Sequence, residues 1–351
     1  MGRLLACALA QVGHRVTLYD AGKPDGDQSA ARVAAAMLAP LAESVITSPS
    51  VVRMGVHGLK RWPELMSQLP AQVFFQQEGT LIVWHRQDAA EASRFARQIT
   101  INQQAIEGLA KAQTMNATQI GQLEPALGRR FAQGLYLPGE GQLDNRALLQ
   151  ALFEQLKALK VQMHWNSPRQ PAEFEPAPQG DLQWLFDCRG LGARPQMKSL
   201  RGVRGEVIRL FAPEVDLKRP VRLIHPRYPL YIAPKPGHVY VVGATEIESD
   251  DMSPASVRST LELLSAAYSV HSGFAEARIL EINTQCRPAL PDNLPLVRHV
   301  GARSLQINGL YRHGFLIAPA LLDVVMQLVN TGSSELAQHF ALTLGATETL
   351  A

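Results

Sequence analysis

Gly2-Arg3-Leu4-Leu5-Ala6-Cys7-Ala8-Leu9-Ala10-Gln11-Val12-Gly13-His14-Arg15-Val16-Thr17-Leu18-Tyr19-Asp20 is the stretch whose reading decides the fold. Residues 3 to 12 are rich in Ala and Leu, good helix formers, and Gly13 stands where a left-handed C-cap is wanted. Arg15 to Tyr19 then reads as a buried strand ending at Asp20-Ala21-Gly22. A helix that feeds a strand with a terminal carboxylate opens a dinucleotide-binding unit, where the carboxylate bonds the ribose hydroxyls. Asp20 occupies that place; a surface Asp opening a turn is the plainer alternative. The fingerprint GxGxxG should begin such a helix, because only glycine lets the backbone approach a pyrophosphate. Gly2 takes the third glycine's position, so a first strand and two glycines are expected to lie ahead of Met1. Leu4 to Ala10 after Arg3 also imitates a signal peptide, but the run is at the lower end of the roughly 7–15 apolar residues required.

The remaining composition narrows the class. The 351 residues exceed what one core usually serves, so two domains are expected, the second inserted in the first. With 46% apolar and 19% charged residues the chain is globular rather than disordered. Its 34 basic and 31 acidic groups include no Lys/Arg-rich run, which argues against a nucleic-acid partner. No apolar run reaches the roughly 18 residues that crossing a bilayer requires, so no membrane partner is expected. Cys7, Cys188 and Cys286 show neither a CxxC nor a paired-His pattern; no metal is expected, and a reducing, cytoplasmic setting fits.

Along the chain, Ala30 to Ala39 is a small-residue stretch closed by Pro40, suited to close approach by a flat ligand or to plain helix packing. A helical pattern covers Ala89 to Ile106, after a short strand at Thr80 to Trp84. Gly139 to Asp144 reads as a turn into a helix from Arg146 to Leu159. A strand over Leu182 to Phe186 runs into a glycine-containing turn at Gly190. Strands follow at Glu206–Leu210, Tyr231–Ala233 and Val239–Gly243, then a helix over Ser256–Tyr268, a strand at Leu305–Gly309 and an apolar helix over Pro319–Leu328. The expected class is α/β, mixed with α+β: a Rossmann-like nucleotide domain lacking its first strand, with an inserted mixed β-sheet substrate domain. The discontinuous domain takes 1–50, 131–200 and 285–351, and the substrate domain 51–130 and 201–284.

Four separated segments resemble one family. Besides Gly2 to Gly22, they are Ala35-Ala36-Met37-Leu38-Ala39-Pro40, Tyr231-Ile232-Ala233-Pro234-Lys235 with Val242-Gly243-Ala244-Thr245-Glu246, and Cys286-Arg287-Pro288 with Asn308-Gly309-Leu310-Tyr311-Arg312-His313-Gly314-Phe315-Leu316-Ile317-Ala318-Pro319. Together they resemble the flavin-dependent amino-acid oxidases of the D-amino-acid oxidase and glycine oxidase type, over nearly the whole chain. Ala36 stands where that family has glycine, Leu310 where it has His, and His313 where it has Asn.

The resemblance implies FAD as cofactor, a small amino-acid substrate, hydride transfer from Cα, and O2 reduced to H2O2. Arg287 would clamp the substrate carboxylate, because a guanidinium fork matches two carboxylate oxygens. Tyr231 would donate its phenol to the same group, and Arg312 would add a second cation. By position, Gly2, Asp20, Ala21, Ala30, Ala31 and Gly190 fall on the nucleotide. Ala35, Ala36 and Met37 fall beside the isoalloxazine, and Leu310, Tyr311, Arg312, His313, Gly314, Phe315 and Leu316 form the loop over its pyrimidine end. No residue is assigned as catalytic acid or base. Two alternatives stay open: a related amine dehydrogenase or tRNA wobble-uridine-modifying flavin enzyme, and a non-catalytic protein whose FAD binding is impaired. A homo-oligomer is left open as well.

Overall fold

The computed structural model describes residues 1–128, 130–174, 184–224 and 230–345. Its largest element is an eight-stranded mixed sheet in the order Arg278–Ala289, Arg201–Phe211, Val239–Gly243, Leu230–Lys235, Val221–Leu223, Thr80–Val83, Gln133–Leu137 and Gln113–Asn116. Only the Val221–Leu223 and Thr80–Val83 pair is parallel. Side chains alternate between the faces of a strand. Leu81, Val83, Ile208, Leu210, Ile232 and Val242 therefore share one face, which buries Leu263 and Ala267 of the helix Val257–Val270. On the opposite face, directly paired positions run Arg222, Tyr231, Gly243 and Val207 across four strands. That face looks toward the other lobe.

The second lobe gathers the helices Gly2–Gln11, Pro49–Ser67, Asn145–Ala158 and Gly314–Thr331 into one core. Gly13 does end its helix in the left-handed region at φ 93°, with its amide on the Ala10 carbonyl at 3.1 Å and that of His14 on Leu9 at 3.0 Å. The strand Thr17–Tyr19 pairs in parallel with Gln162–His164, while Leu185–Asp187 borders a separate sheet of Ser304–Asn308, Leu296–Gly301 and Leu344–Gly345. Among the described residues neither Thr17–Tyr19 nor Leu185–Asp187 has a second neighbour, so this lobe's sheet is in two pieces. Leu182, which opens the expected strand, lies outside the described residues.

The long apolar helix begins at Gly314, earlier than its proline suggests, and Pro319 lies inside it. A proline cannot donate to the carbonyl four residues back. The indole of Trp62 supplies that donor instead, bonding the Phe315 carbonyl at 2.8 Å. With its preceding turn, Tyr311–Thr331 is long and apolar enough to cross a membrane by length and composition, although Arg312 and Asp323 interrupt its apolar run. Here Leu316, Leu321, Val324, Val325 and Leu328 of this helix are buried in the lobe's core.

The helix Pro49–Ser67 crosses Gly314–Thr331 at Gly55 and Gly58, where a Cβ on Gly58 would lie 2.1 Å from the Leu316 carbonyl oxygen. Backbone cannot move aside as a side chain can, so Gly58→Ala is expected to destabilise the chain by about 3 kcal/mol. A urea midpoint equal to that of the parent chain contradicts this packing.

Several polar contacts tie the lobes. Arg146 of the helix Asn145–Ala158 grips Glu281 at 2.5 and 2.7 Å, and the Arg209 guanidinium donates to Asn145 at 2.9 Å. Core membership gives the lobes a finer outline: Val51, Met54, Leu59 and Trp62 pack with the helical core, and Gln133–Leu137 lies in the large sheet.

Candidate active site

The face of the sheet that runs through Arg222, Tyr231 and Gly243 meets the small-residue segment of the other lobe. Val33, Ala35, Val207, Ala233, Val241 and Ala244 form one apolar cluster, with Met37 and Tyr231 packed against it. The segment expected beside a flat cofactor and the phenol expected on the substrate thus share one neighbourhood.

Glycines make room for the polar groups. The Tyr231 ring leans over its cross-strand partner Gly243, where a Cβ would lie 2.6 Å from the hydroxyl. The Arg287 guanidinium leans over Gly205, where a Cβ would lie 2.3 Å from Nη2. Arg287 is half-buried, and both its terminal nitrogens donate to the Thr245 carbonyl, at 3.2 and 3.3 Å. No carboxylate lies within ion-pair distance of it among the described residues. Burial raises the phenol pKa of Tyr231, the nearby Arg287 and Arg312 only partly opposing it, so the hydroxyl remains a donor at neutral pH. Tyr231, Arg287 and Arg312 are mutually close enough to interact electrostatically.

Arg312 is differently placed, held between two carboxylates. Its Nε is 3.2 Å from Glu43 and its Nη1 2.6 Å from Glu246. Glu43 also accepts from Arg222 at 2.8 Å and lies 3.1 Å from the ring of buried His313. Burial alone would raise the pKa of Glu43, but Arg312, Arg222 and the His313 bond hold it well below the usual range. Glu140 behind it bonds the Ala42 amide at 2.7 Å, and burial pushes its pKa up to about 7.

The positions expected on the nucleotide are spread along the helical lobe. Gly2 opens its helix against Cys188, and no side chain caps that helix. Asp20 follows its strand with a partly exposed carboxylate that accepts from the Gly22 amide at 2.9 Å; Ala21 beside it is exposed. Arg3 lies 3.8 Å from Asp20 and bonds the Lys23 and Pro24 carbonyls, closing the following loop onto the helix. Ala30 and Ala31 lie in the short helix Ala30–Val33, and the Asn145 amide holds the Ala31 and Arg32 carbonyls, each at 2.8 Å. Gly190 adopts φ 54° and its carbonyl accepts from Asn308 at 2.9 Å.

Of the last segment, Leu310, Tyr311 and Arg312 are half-buried before the uncapped start of the helix at Gly314. Leu316 turns away into the contact with Gly55, and the Phe315 carbonyl is taken by Trp62.

Ala36 sits at φ 51°, the left-handed region, where the resembling family has glycine. Its carbonyl accepts from Leu143 at 3.1 Å. A side chain there costs about 1 kcal/mol, so Ala36→Gly is expected to raise stability by about that amount. A lowered denaturant midpoint contradicts the assignment of strain.

Reasoning from the sequence did not single out Glu43, Glu246 or Arg222. Glu43 carried one signal, a lone acid closing the apolar run from Val33 to Ala42. Arg222 carried another, a charge between Val221 and Leu223 in a period of two.

A helical lobe set against a sheet whose phenol and guanidinium face the junction, the latter with no carboxylate partner among the described residues, fits a two-lobed oxidoreductase. The chain belongs to the FAD dependent oxidoreductase family DAO, whose profile matches residues 1–327. It is 38% identical over 330 residues to a putative thiamine biosynthesis oxidoreductase ThiO of Rhizobium etli, covering 94% of each chain. Among solved structures it is similar to iminodiacetate oxidase from Chelativorans sp. BNC1, with TM-score 0.80 and 18% identity over 98% of this chain and 96% of that one. Glycine oxidase from Geobacillus kaustophilus is similar too, with TM-score 0.79 and 21% identity over 97% and 95%.

The family's cofactor is FAD, and the residues present fit it. The helices Gly2–Gln11 and Gly314–Thr331 start without a side-chain cap, Asp20 presents a partly exposed carboxylate, and the small side chains of Ala35, Ala233 and Ala244 line the junction.

Proposed function

We propose that the chain oxidises a small amino acid, with glycine, sarcosine and small D-amino acids as the substrate class, to an imine that water hydrolyses. The observation that carries this reading is Arg287, a half-buried guanidinium beside a protonated phenol, whose hydrogen-bond partner among the described residues is a backbone carbonyl. An unpaired cation in a confined place favours an anion that can bond both arms. Arg287 takes the substrate carboxylate and the Tyr231 hydroxyl donates to it, which aims the Cα–H toward the segment Ala35–Met37. The apolar cluster around Val207, Val241 and Ala244 keeps water away from that bond. Bound FAD supplies the hydride acceptor, and its electrons pass to O2 to give H2O2. No side chain is required as a base when the substrate amine arrives neutral.

Asp20 and Ala21 would meet the ribose, Gly2, Ala30, Ala31 and Gly190 the phosphates, and Leu310 to Gly314 the pyrimidine edge. The proposed domains are 1–50, 131–200 and 285–351 against 51–130 and 201–284, save that Val51, Met54, Leu59 and Trp62 pack with the helical core and Gln133–Leu137 pairs in the large sheet. The name of the Rhizobium etli relative, a putative thiamine biosynthesis oxidoreductase, supports a role in thiamine synthesis; supply of an imine, in the cytoplasm, is our proposal for that role. A peroxide-coupled screen of glycine, sarcosine and D-alanine on FAD-loaded protein tests the proposal. Peroxide from at least one of them is the expected result; yellow protein inert to all three overturns it.

A further inference from the structure

The two arginines of the site differ in what already holds them. Among the described residues Arg287 donates to the Thr245 carbonyl alone, whereas Arg312 has Glu43 on Nε and Glu246 on Nη1. Glu43 is buried and shared with Arg222, so it belongs to the frame of the fold. Glu246 is not: its side chain is 39% exposed, it follows Thr245 directly, and it is close enough to interact with Arg287. Both its oxygens are taken on the side of the site, one by Arg312 at 2.6 Å and the other by the Tyr311 hydroxyl at 2.5 Å. Tyr311 itself is held in the left-handed region at φ 48°, so the carboxylate has a fixed mount.

We infer that Glu246 is a specificity-determining residue, a resident carboxylate that occupies Arg312 and thereby limits the site to substrates with a single carboxylate. The inference rests on the reading of Arg287 as the carboxylate clamp. A monocarboxylate needs Arg287 and Tyr231 alone. A dicarboxylate would need a second cation, and the nearest one is already neutralised; its extra charge would also meet that of Glu246 at close range. Like charges brought together in a partly desolvated place repel strongly, so the exclusion works by repulsion as well as by occupancy. Glu246→Gln keeps a side-chain acceptor for Tyr311 while removing the charge, which leaves Nη1 of Arg312 free for a ligand.

The test is a spectral titration of FAD-loaded protein with acetate and with malonate, neither of which is turned over. The parent chain should bind acetate and bind malonate no more tightly. Glu246→Gln, and Glu246→Ala as a second variant, should tighten malonate relative to acetate by at least about tenfold, or about 1.4 kcal/mol. In turnover the same variants should gain on iminodiacetate relative to sarcosine. If the parent chain binds acetate but neither variant changes the malonate ratio, Glu246 is not the determinant. If the parent chain perturbs its flavin spectrum with neither anion, the clamp reading itself has failed.

Discussion

Replacing Arg287 with alanine is expected to raise KM for the amino acid by about 10- to 150-fold while kcat changes much less. The range follows from losing a charge-assisted hydrogen bond worth about 1.5–3 kcal/mol. The carboxylate does not react, so its clamp holds ground state and transition state alike, and the loss falls on KM. Arg287→Lys should lie between, since an ammonium keeps the charge but not the planar fork. The variant is not expected to unfold. Among the described residues Arg287 gives up two bonds to the Thr245 carbonyl, and no buried carboxylate there loses a partner. An unaltered KM in Arg287→Ala contradicts the assignment.

Glu43 should show the opposite behaviour, a change in stability before any change in substrate preference. Its carboxylate holds Arg222 and Arg312 and meets His313, all from elements distant in sequence. Glu43→Gln leaves guanidiniums buried with too little negative charge, an imbalance that costs about 3–5 kcal/mol. The loss is read as a lowered urea midpoint at neutral pH. Because the folded-state pKa of Glu43 is depressed, its stabilisation is fully present above the unfolded value of about 4.3 and fades as pH falls toward the folded value. Parent and variant curves should therefore converge in acid. A constant difference from neutral pH to strong acid would mean that the carboxylate acts through packing alone.

The strands over Val239–Gly243 and Tyr231–Ala233 were legible because apolar residues crowd short runs bounded by Pro and Gly. The first helix was legible from Leu and Ala followed by a capping glycine. Its partner strand is shorter than expected, Thr17–Tyr19, because the parallel register begins at Thr17 and Gln162, with Val16 contributing only its carbonyl to the Gln162 amide at 3.2 Å. Tyr231, Arg287 and Arg312 came from resemblance, and their meeting depends on register that no local pattern records. Tyr231 faces the junction because it pairs with Gly243 and Arg222 on adjoining strands. Glu43 was illegible for a related reason: its partners lie 179 and 270 residues away, and its own helix spans only Pro40–Glu43. The start of the helix Gly314–Thr331 was hidden by Pro319, whose missing donor is replaced by a tryptophan from another helix.

The most direct measurement is anaerobic mixing of FAD-loaded protein with glycine, sarcosine or D-alanine, followed by admission of O2. The oxidised-flavin absorbance should bleach with at least one of them in the parent chain, bleach only at much higher concentration in Arg287→Ala, and return with O2 as peroxide forms. Flavin that binds yet stays oxidised under every amino acid would contradict the central claim that Arg287 and Tyr231 present a small amino acid to the cofactor.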